Sequence, residues 1–407
     1  MTRLEHGAPD MTTPSAPRIP FLALVPREDA GPVRVAIDRV ITRGWFVLGP
    51  EVEAFESEFA AAMGAAHSVG VGTGTDAIAL ILRALGIGPG DEVITTPLSA
   101  AYSALAVMMA GARPVFADID PDRLTLDPEQ AARAVGPRTR AILPVHLYGQ
   151  AADMRALERL AVRHNLALIE DCCQAHLATS HGRPVGTIGI AGAFSFYPTK
   201  NLGALGDGGA VVTSDRALAD RIRRLRNGGQ IDRYHHGEPG INSRLDELQA
   251  AILRARLPFL GPWTARRRAL AARYRAALAA GRPGDAGSVD VPAETDPGHV
   301  YHLFVVKVPG ALRRAGGAVR LLPDQSARDD LQAQLAADGI ETLIHYPVPI
   351  TRQPALAGEQ PADCPIAAQV CGQILSLPLH PGLRDEDADA VVAAIRAVRK
   401  DAIQCER

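Results

Sequence analysis

The sequence predicts an α/β fold with a large, mostly parallel sheet domain and a smaller C-terminal α+β domain. Three observations carry this reading. Short apolar runs, of the length of buried strands, alternate with segments of helical period between about residues 68 and 213. The polar residues best suited to chemistry fall just past the ends of those runs, where open α/β sheets place their sites. From about Leu245 the alternation gives way to longer helical segments.

Taken in order, residues 1–17 are rich in Pro, Thr and Ala and read as a disordered N-terminus. The large domain then spans 18–262, opening with a helical lead-in over 18–60. Apolar residues recur at helical spacing over 33–43, and Pro50 sits in the first turn of a second helix over 50–63. A strand follows at 68–71 and a helix at 76–85, ended by Gly86. Next come a strand at 91–95, a helix at 100–110 stopped by Gly111, a strand at 113–119 and a helix at 128–135. A strand at 141–146, a helix at 154–164 and a strand at 166–170 continue the alternation. Strands at 193–196 and 209–213 complete it. Helices are predicted over 246–257 and 263–280, with the small domain taken as 263–407. A Gly/Pro/Asp-rich connector covers 281–297. Beyond it lie a strand at 300–308, a helix at 327–338, a strand at 342–346 and helices at 365–375 and 385–400. There is no internal repeat.

A chain of 407 residues is long enough for two or three domains and a large core. Its net charge of −2 lacks the basic excess of a nucleic-acid binder. Arginine-rich stretches at 221–226 and 266–268 read as solvated helix faces or subunit contacts. Five cysteines, two of them adjacent at Cys172 and Cys173, fit neither a zinc site nor a disulfide framework, so a reducing cytoplasm is expected and no metal. The N-terminus has Glu5, Asp10 and several prolines, and is no signal peptide. The longest apolar stretch, 101–112, is too short to span a membrane.

Lys200 lies in the run Ser195-Phe196-Tyr197-Pro198-Thr199-Lys200-Asn201, directly before a glycine-rich stretch. Asp171 ends the run after Leu168-Ile169-Glu170. A lysine past one strand and an aspartate at the end of an earlier one is what pyridoxal phosphate (PLP) chemistry needs. The lysine amine forms the Schiff base, and the aspartate keeps the pyridinium nitrogen protonated. A free lysine is mostly protonated at neutral pH, so burial or neighbouring cations must lower its pKa. Glycines 203, 206, 208 and 209 let backbone approach the cofactor face. The turn Gly72-Thr73-Gly74-Thr75-Asp76-Ala77 matches G-x-G-x-x-A, the mark of a dinucleotide fold or of a phosphate cup. A dinucleotide site wants an acidic residue after the next strand. Here Asp91 and Glu92 precede it, so the turn is read as the PLP phosphate cup. His146 and His176 read as core or pocket histidines. Asn242 reads as a helix cap before Leu245.

These segments occur together with Pro144-Val145-His146-Leu147-Tyr148-Gly149-Gln150, Gly206-Asp207-Gly208-Gly209, the run of nine residues beginning Asn242-Ser243-Arg244-Leu245, and His345-Tyr346-Pro347. In that order the chain resembles the DegT/StrS family of PLP-dependent nucleotide-sugar aminotransferases, of fold type I. The resemblance implies that Lys200 is the Schiff-base lysine and proton carrier, and that Asp171 is the pyridinium partner. It implies that Gln174 lies near the ring hydroxyl and that Ser195, Gly74 and Thr75 hold the phosphate. Asn242 would reach the phosphate of a neighbouring subunit, giving a homodimer with shared sites. His345 and Tyr346 would approach the substrate. The donor would be an amino acid such as L-glutamate, and the acceptor a keto group at C3 or C4 of a nucleotide-linked deoxysugar. One departure stands out. Many members stack an aromatic ring on the cofactor from the segment that here reads Pro97-Leu98-Ser99-Ala100-Ala101-Tyr102, and no aromatic occupies that position. Some relatives are dehydratases carrying histidine in place of the lysine, against which Lys200 speaks. A nicotinamide-dependent oxidoreductase would leave the Asp171/Lys200 pair unexplained, and a non-catalytic PLP-binding protein is the remaining alternative.

Overall fold

The computed structural model describes residues 18–24, 28–279, 289–309, 326–356 and 363–404. The segment read as disordered, 1–17, lies outside them. Two helices lead in, α1 (Ala30–Arg43) and α2 (Pro50–Met63). The alternation that follows is β1 (His67–Val71), α3 (Gly74–Ala84), β2 (Glu92–Thr95), α4 (Tyr102–Met109), β3 (Arg113–Phe116), α5 (Pro128–Arg133), β4 (Thr139–Leu143), α6 (Met154–His164) and β5 (Ala167–Asp171). A small hairpin of β6 (Thr179–Ser180) and β7 (Arg183–Pro184) precedes β8 (Ala191–Ser195), β9 (Gly209–Thr213) and α7 (Arg216–Leu225).

Seven of these strands form one sheet in the order β1-β9-β8-β5-β4-β2-β3. β9 pairs antiparallel with both neighbours, and the other contacts in the sheet are parallel. The exception has a simple cause. No crossover helix separates β8 from β9, so the chain can only return antiparallel. The ends of six strands and the beginning of β9 therefore meet at one edge of the sheet. Strands covered on both faces are buried along their length, as β2 and β9 illustrate.

The longest element is α8 (Glu247–Leu278), which runs without a break through Pro258 and Pro262. It replaces the two helices expected from the sequence. Each proline costs a helix about 3 kcal/mol in isolation. Burial outweighs that here, because the two halves of α8 belong to different cores. Ala250, Leu253 and Leu260 pack with Phe55, Phe59, Phe194 and Phe196. Leu270, Ala271, Tyr274 and Leu278 pack with the C-terminal elements. The expected boundary at 262/263 falls inside this shared helix. The C-terminal elements are β10 (Phe304–Lys307), α9 (Ala327–Ala337), α10 (Pro365–Gln373), β11 (Ile374–Leu377) and α11 (Asp385–Gln404). β10 pairs antiparallel with β11. Ile19, from the lead-in segment, bridges to Ile340 and joins this second core.

Other expectations are corrected. Residues 342–346 form no strand; only Leu343 bridges to Ser376, because Pro347 and Pro349 end any ladder at once. Residues 374 and 375 belong to β11 rather than to a helix. The arginine run at 221–226 lies on and just past α7, whose other face buries Leu218, Ala219, Ile222 and Leu225. Arg226 itself is buried and paired with Glu56 and the Gly70 carbonyl. Arg267 is also buried, donating to the carbonyls of Tyr301, His302 and Leu379.

Glu247, at the start of α8, is fully buried and accepts the N–H groups of Gly49, Glu51 and Val52 at 2.8–3.0 Å. It caps α2 from a distant helix. Glu247→Ala leaves three buried donors unsatisfied and is expected to lower unfolding free energy by about 3 kcal/mol or more. Urea denaturation of the two proteins measures this.

Candidate active site

At the shared sheet edge, the turn after β1 becomes the first turn of α3. The Thr73 hydroxyl caps the helix by accepting the Asp76 N–H at 3.0 Å, leaving the N–H groups of Gly74 and Thr75 at the open helix end. Gly74 is required by packing. A Cβ there would stand 2.6 Å from Cys173 Sγ and 2.9 Å from Ser195 Cβ. Gly209 answers it from the start of β9, where a Cβ would stand 2.4 Å from the Thr73 carbonyl. Ser195 and Gly209 are direct partners across β8 and β9. Ser195, Gly74 and Thr75 thus converge on one cup.

Glu170 and Asp171 leave β5 on opposite faces, as the period of two dictates. Glu170 is fully buried. Its carboxylate accepts the N–H groups of Gly186, Ile188 and Gly189 at 2.7–2.8 Å and lies 3.0 Å from His146 Nε2. His146 Nδ1 accepts the Ala152 N–H, so Nε2 carries the proton toward Glu170. His146, Glu170 and Cys172 stand close enough to share a metal ion. The imidazole and carboxylate are already committed to these hydrogen bonds, which makes the group a structural tie.

Asp171 faces the site. Its Oδ2 accepts the Ser103 hydroxyl at 2.6 Å and its Oδ1 the Cys173 N–H at 3.0 Å. Lys200 is half-buried in the turn that its N–H closes onto the Tyr197 carbonyl. Desolvation lowers its pKa, opposed by Cys173 and Asp171. The amine is thereby moved toward the neutral form that a Schiff base requires. Burial, with Lys200 adding to it, also holds His176 down to about 3 and His345 down to about 4, and His302 well below its ordinary value. These three imidazoles, within electrostatic reach of the lysine, are held neutral. Burial pushes the Cys172 and Cys173 thiols up, so both stay protonated.

The wall beside Asp171 is a relay of hydrogen bonds. The Gln174 amide oxygen accepts the Tyr148 N–H at 2.7 Å, and its nitrogen donates to the Tyr346 hydroxyl at 3.1 Å. The Tyr148 hydroxyl donates to the His345 carbonyl. His345 Nδ1 lies 2.9 Å from Ser376 Oγ, and its ring stacks on Phe21 with centroids 5.6 Å apart. His345 and Tyr346 thus reach the site from the C-terminal part of the chain.

Asn242 stands apart. It is exposed, four residues before the Asp246 cap of α8, and so is no cap of that helix. The neighbouring Ser243 is the buried one. Its hydroxyl accepts the Gly72 N–H at 2.9 Å and donates to Asp76 at 2.8 Å, bracing the cup from behind. Sequence reasoning missed Ser103, Cys173, Tyr148 and Ser243 as site residues. Ser103 is brought in across a long stretch of chain and carries no local signal. Cys173 lies two residues from Asp171, and Tyr148 and Ser243 lie in runs that carry the family resemblance; those adjacencies were the available clues.

A family model described as the DegT/DnrJ/EryC1/StrS aminotransferase family matches residues 32–396. A dTDP-3-amino-3,4,6-trideoxy-alpha-D-glucose transaminase of Streptomyces venezuelae is 49% identical over 384 residues, covering 93% of this chain and 96% of the relative. A UDP-N-acetyl-3-dehydro-alpha-D-glucosamine 3-aminotransferase of Acidithiobacillus ferrooxidans is 41% identical over 367 residues, covering 89% and 93%. The crystal structure of S. venezuelae DesV in complex with a ketimine intermediate superposes with a TM-score of 0.86 at 48% identity, covering 95% of this chain and 99% of that one.

Two outcomes are expected from this geometry. Gly74→Ala cannot fit beside Cys173 and Ser195, so it should weaken retention of PLP by at least about tenfold, measured by equilibrium dialysis. His176 sits among Phe59, Phe194 and Phe196, and its ring nitrogens have no hydrogen-bond partner among the described residues. Its pKa is about 3 when folded against 6.5 as the ordinary value. Below about pH 6.5 the unfolded chain takes up a proton that the folded chain refuses, so stability falls as pH falls. By pH 5 this amounts to about 2 kcal/mol. The melting temperature of His176→Leu should therefore depend less on pH between 7 and 5 than that of the wild type.

Proposed function

The chain belongs to the DegT/DnrJ/EryC1/StrS aminotransferase family, and we propose that it moves an amino group from L-glutamate to the C3 keto group of a dTDP-linked deoxysugar. The observation that carries the chemistry is a half-buried lysine, drawn toward its neutral form, beside an aspartate held at an adjoining strand end. The choice of carbon is supported by the two relatives, whose names share a nitrogen at C3 although their nucleotides differ.

The residues fit PLP. Gly74 and Thr75 offer N–H groups at a helix N-terminus to its phosphate, with Ser195 beside them. Asp171 would pair with the ring nitrogen, and Gln174 would lie near the ring hydroxyl. When bound, PLP supplies an electron-accepting ring that lowers the barrier to breaking a bond at the amino carbon. Lys200 Nζ binds the cofactor and is the base that removes the proton from the donor's α-carbon. His345 and Tyr346 line the acceptor side, both uncharged: burial lowers the imidazole pKa and raises that of the phenol to about 12. They orient the sugar as hydrogen-bonding groups rather than as charges.

The protein acts as a homodimer with shared sites. Exposed Asn242 is available to a neighbouring subunit, and the exposed apolar run Trp45, Phe46 and Val47 is suited to a subunit contact. A cytoplasmic location agrees with the free thiols of Cys172, Cys173, Cys364 and Cys371. Among the described residues no helix is long and apolar enough to cross a membrane.

PLP-loaded protein should absorb in the visible and lose that band on addition of L-glutamate. Lys200→Ala should lower turnover at least about a thousandfold. Product NMR should place the nitrogen on C3; a 4-amino product refutes the assignment of carbon. Mixing the inactive variants Lys200→Ala and Asn242→Ala should restore activity to about a quarter of wild type, since half of randomly paired dimers carry one intact site. No recovery on mixing refutes the shared site.

A further inference from the structure

We propose that Ser103 is a positioning residue for Asp171, setting it as an acceptor toward the cofactor ring. The inference rests on the PLP reading above. Ser103 is the second residue of α4, and both it and Asp171 are buried. Their contact, at 2.6 Å, is the shortest polar contact described for the Asp171 side chain, and it joins residues far apart in the chain. The Cys173 N–H holds the other oxygen at 3.0 Å. A main-chain N–H can only donate. A hydroxyl that donates to Oδ2 leaves the carboxylate an acceptor at both oxygens, each with a lone pair to spare. A carboxylate held in this way can engage a ring nitrogen only if the proton sits on that nitrogen. Ser103 thereby selects the protonated ring, the form that accepts electrons.

The same helix turn adjoins the segment 97–102, which lacks the family's stacking aromatic. Tyr102, next to Ser103, is 63% exposed, so the turn is anchored by its serine and not by a buried ring. A serine without this role would merely fill space beneath the carboxylate, and alanine would replace it at little cost to the chemistry.

The test uses PLP-loaded wild type, Ser103→Ala and Ser103→Thr. It reads the pH midpoint of the visible band, and the rate at which L-glutamate bleaches that band. Ser103→Ala should displace the midpoint by about one pH unit and slow bleaching about ten- to a hundredfold, the span for losing a hydrogen bond to a charged acceptor. Ser103→Thr, which keeps the hydroxyl, should stay within about threefold of wild type on that scale. An alanine variant that melts lower but keeps the wild-type midpoint and rate overturns the proposal, as does a threonine variant as impaired as alanine. Wild-type protein that takes up no PLP overturns the cofactor reading itself, a failure distinct from either of these.

Discussion

The structure depends on a pair of adjacent carboxylates at the end of β5. Glu170 points into the protein and gathers three main-chain N–H groups and an imidazole. Those donors come from the loop after β4 and from the segment leading into β8. One side chain therefore sets the relative heights of three strand ends. Asp171 inherits that precision on the opposite face, where it is needed. A buried carboxylate is tolerable only when it is hydrogen-bonded, and both of these are. Had Glu170 been left with an empty lone pair, the sheet edge that carries Asp171 and Ser195 would have lost its common anchor.

A second constraint is the continuity of α8. Its first half packs under the phosphate cup's supporting layer and its second half belongs to the C-terminal core. Buried arginines reinforce both ends of this span. Arg256 pairs with Asp29 and the Gly203 carbonyl, close to the lysine loop. Arg267 joins the helix to the carbonyls around His302 and Leu379. The element that carries the lysine loop is thus tied to the one that brings His345 and Tyr346.

The sheet and most of the cup were legible because their signals are local. The strand before Gly72, the helix after it and the glycines between are adjacent in sequence. Lys200 and Asp171 were legible because each follows an apolar run. The continuity of α8 was not, since two prolines are a stop signal by every local rule and only burial on two cores overrides it. The buried state of Arg226 and Arg267 was hidden for the same reason. An arginine with a tertiary carbonyl or carboxylate partner looks, in sequence, like one in water. Ser103 and Ser243 reach their partners across most of a domain, a relation that one sequence without a topology cannot display.

The lone reversed strand has a further consequence. Lys200 lies in the connection between β8 and β9, whose ends are clasped where Ser195 pairs with Gly209. That clasp also presses against Thr73 and Gly74. The segment holding the amine and the segment holding the phosphate therefore share one hinge point. Displacing either one therefore disturbs the close packing of the other.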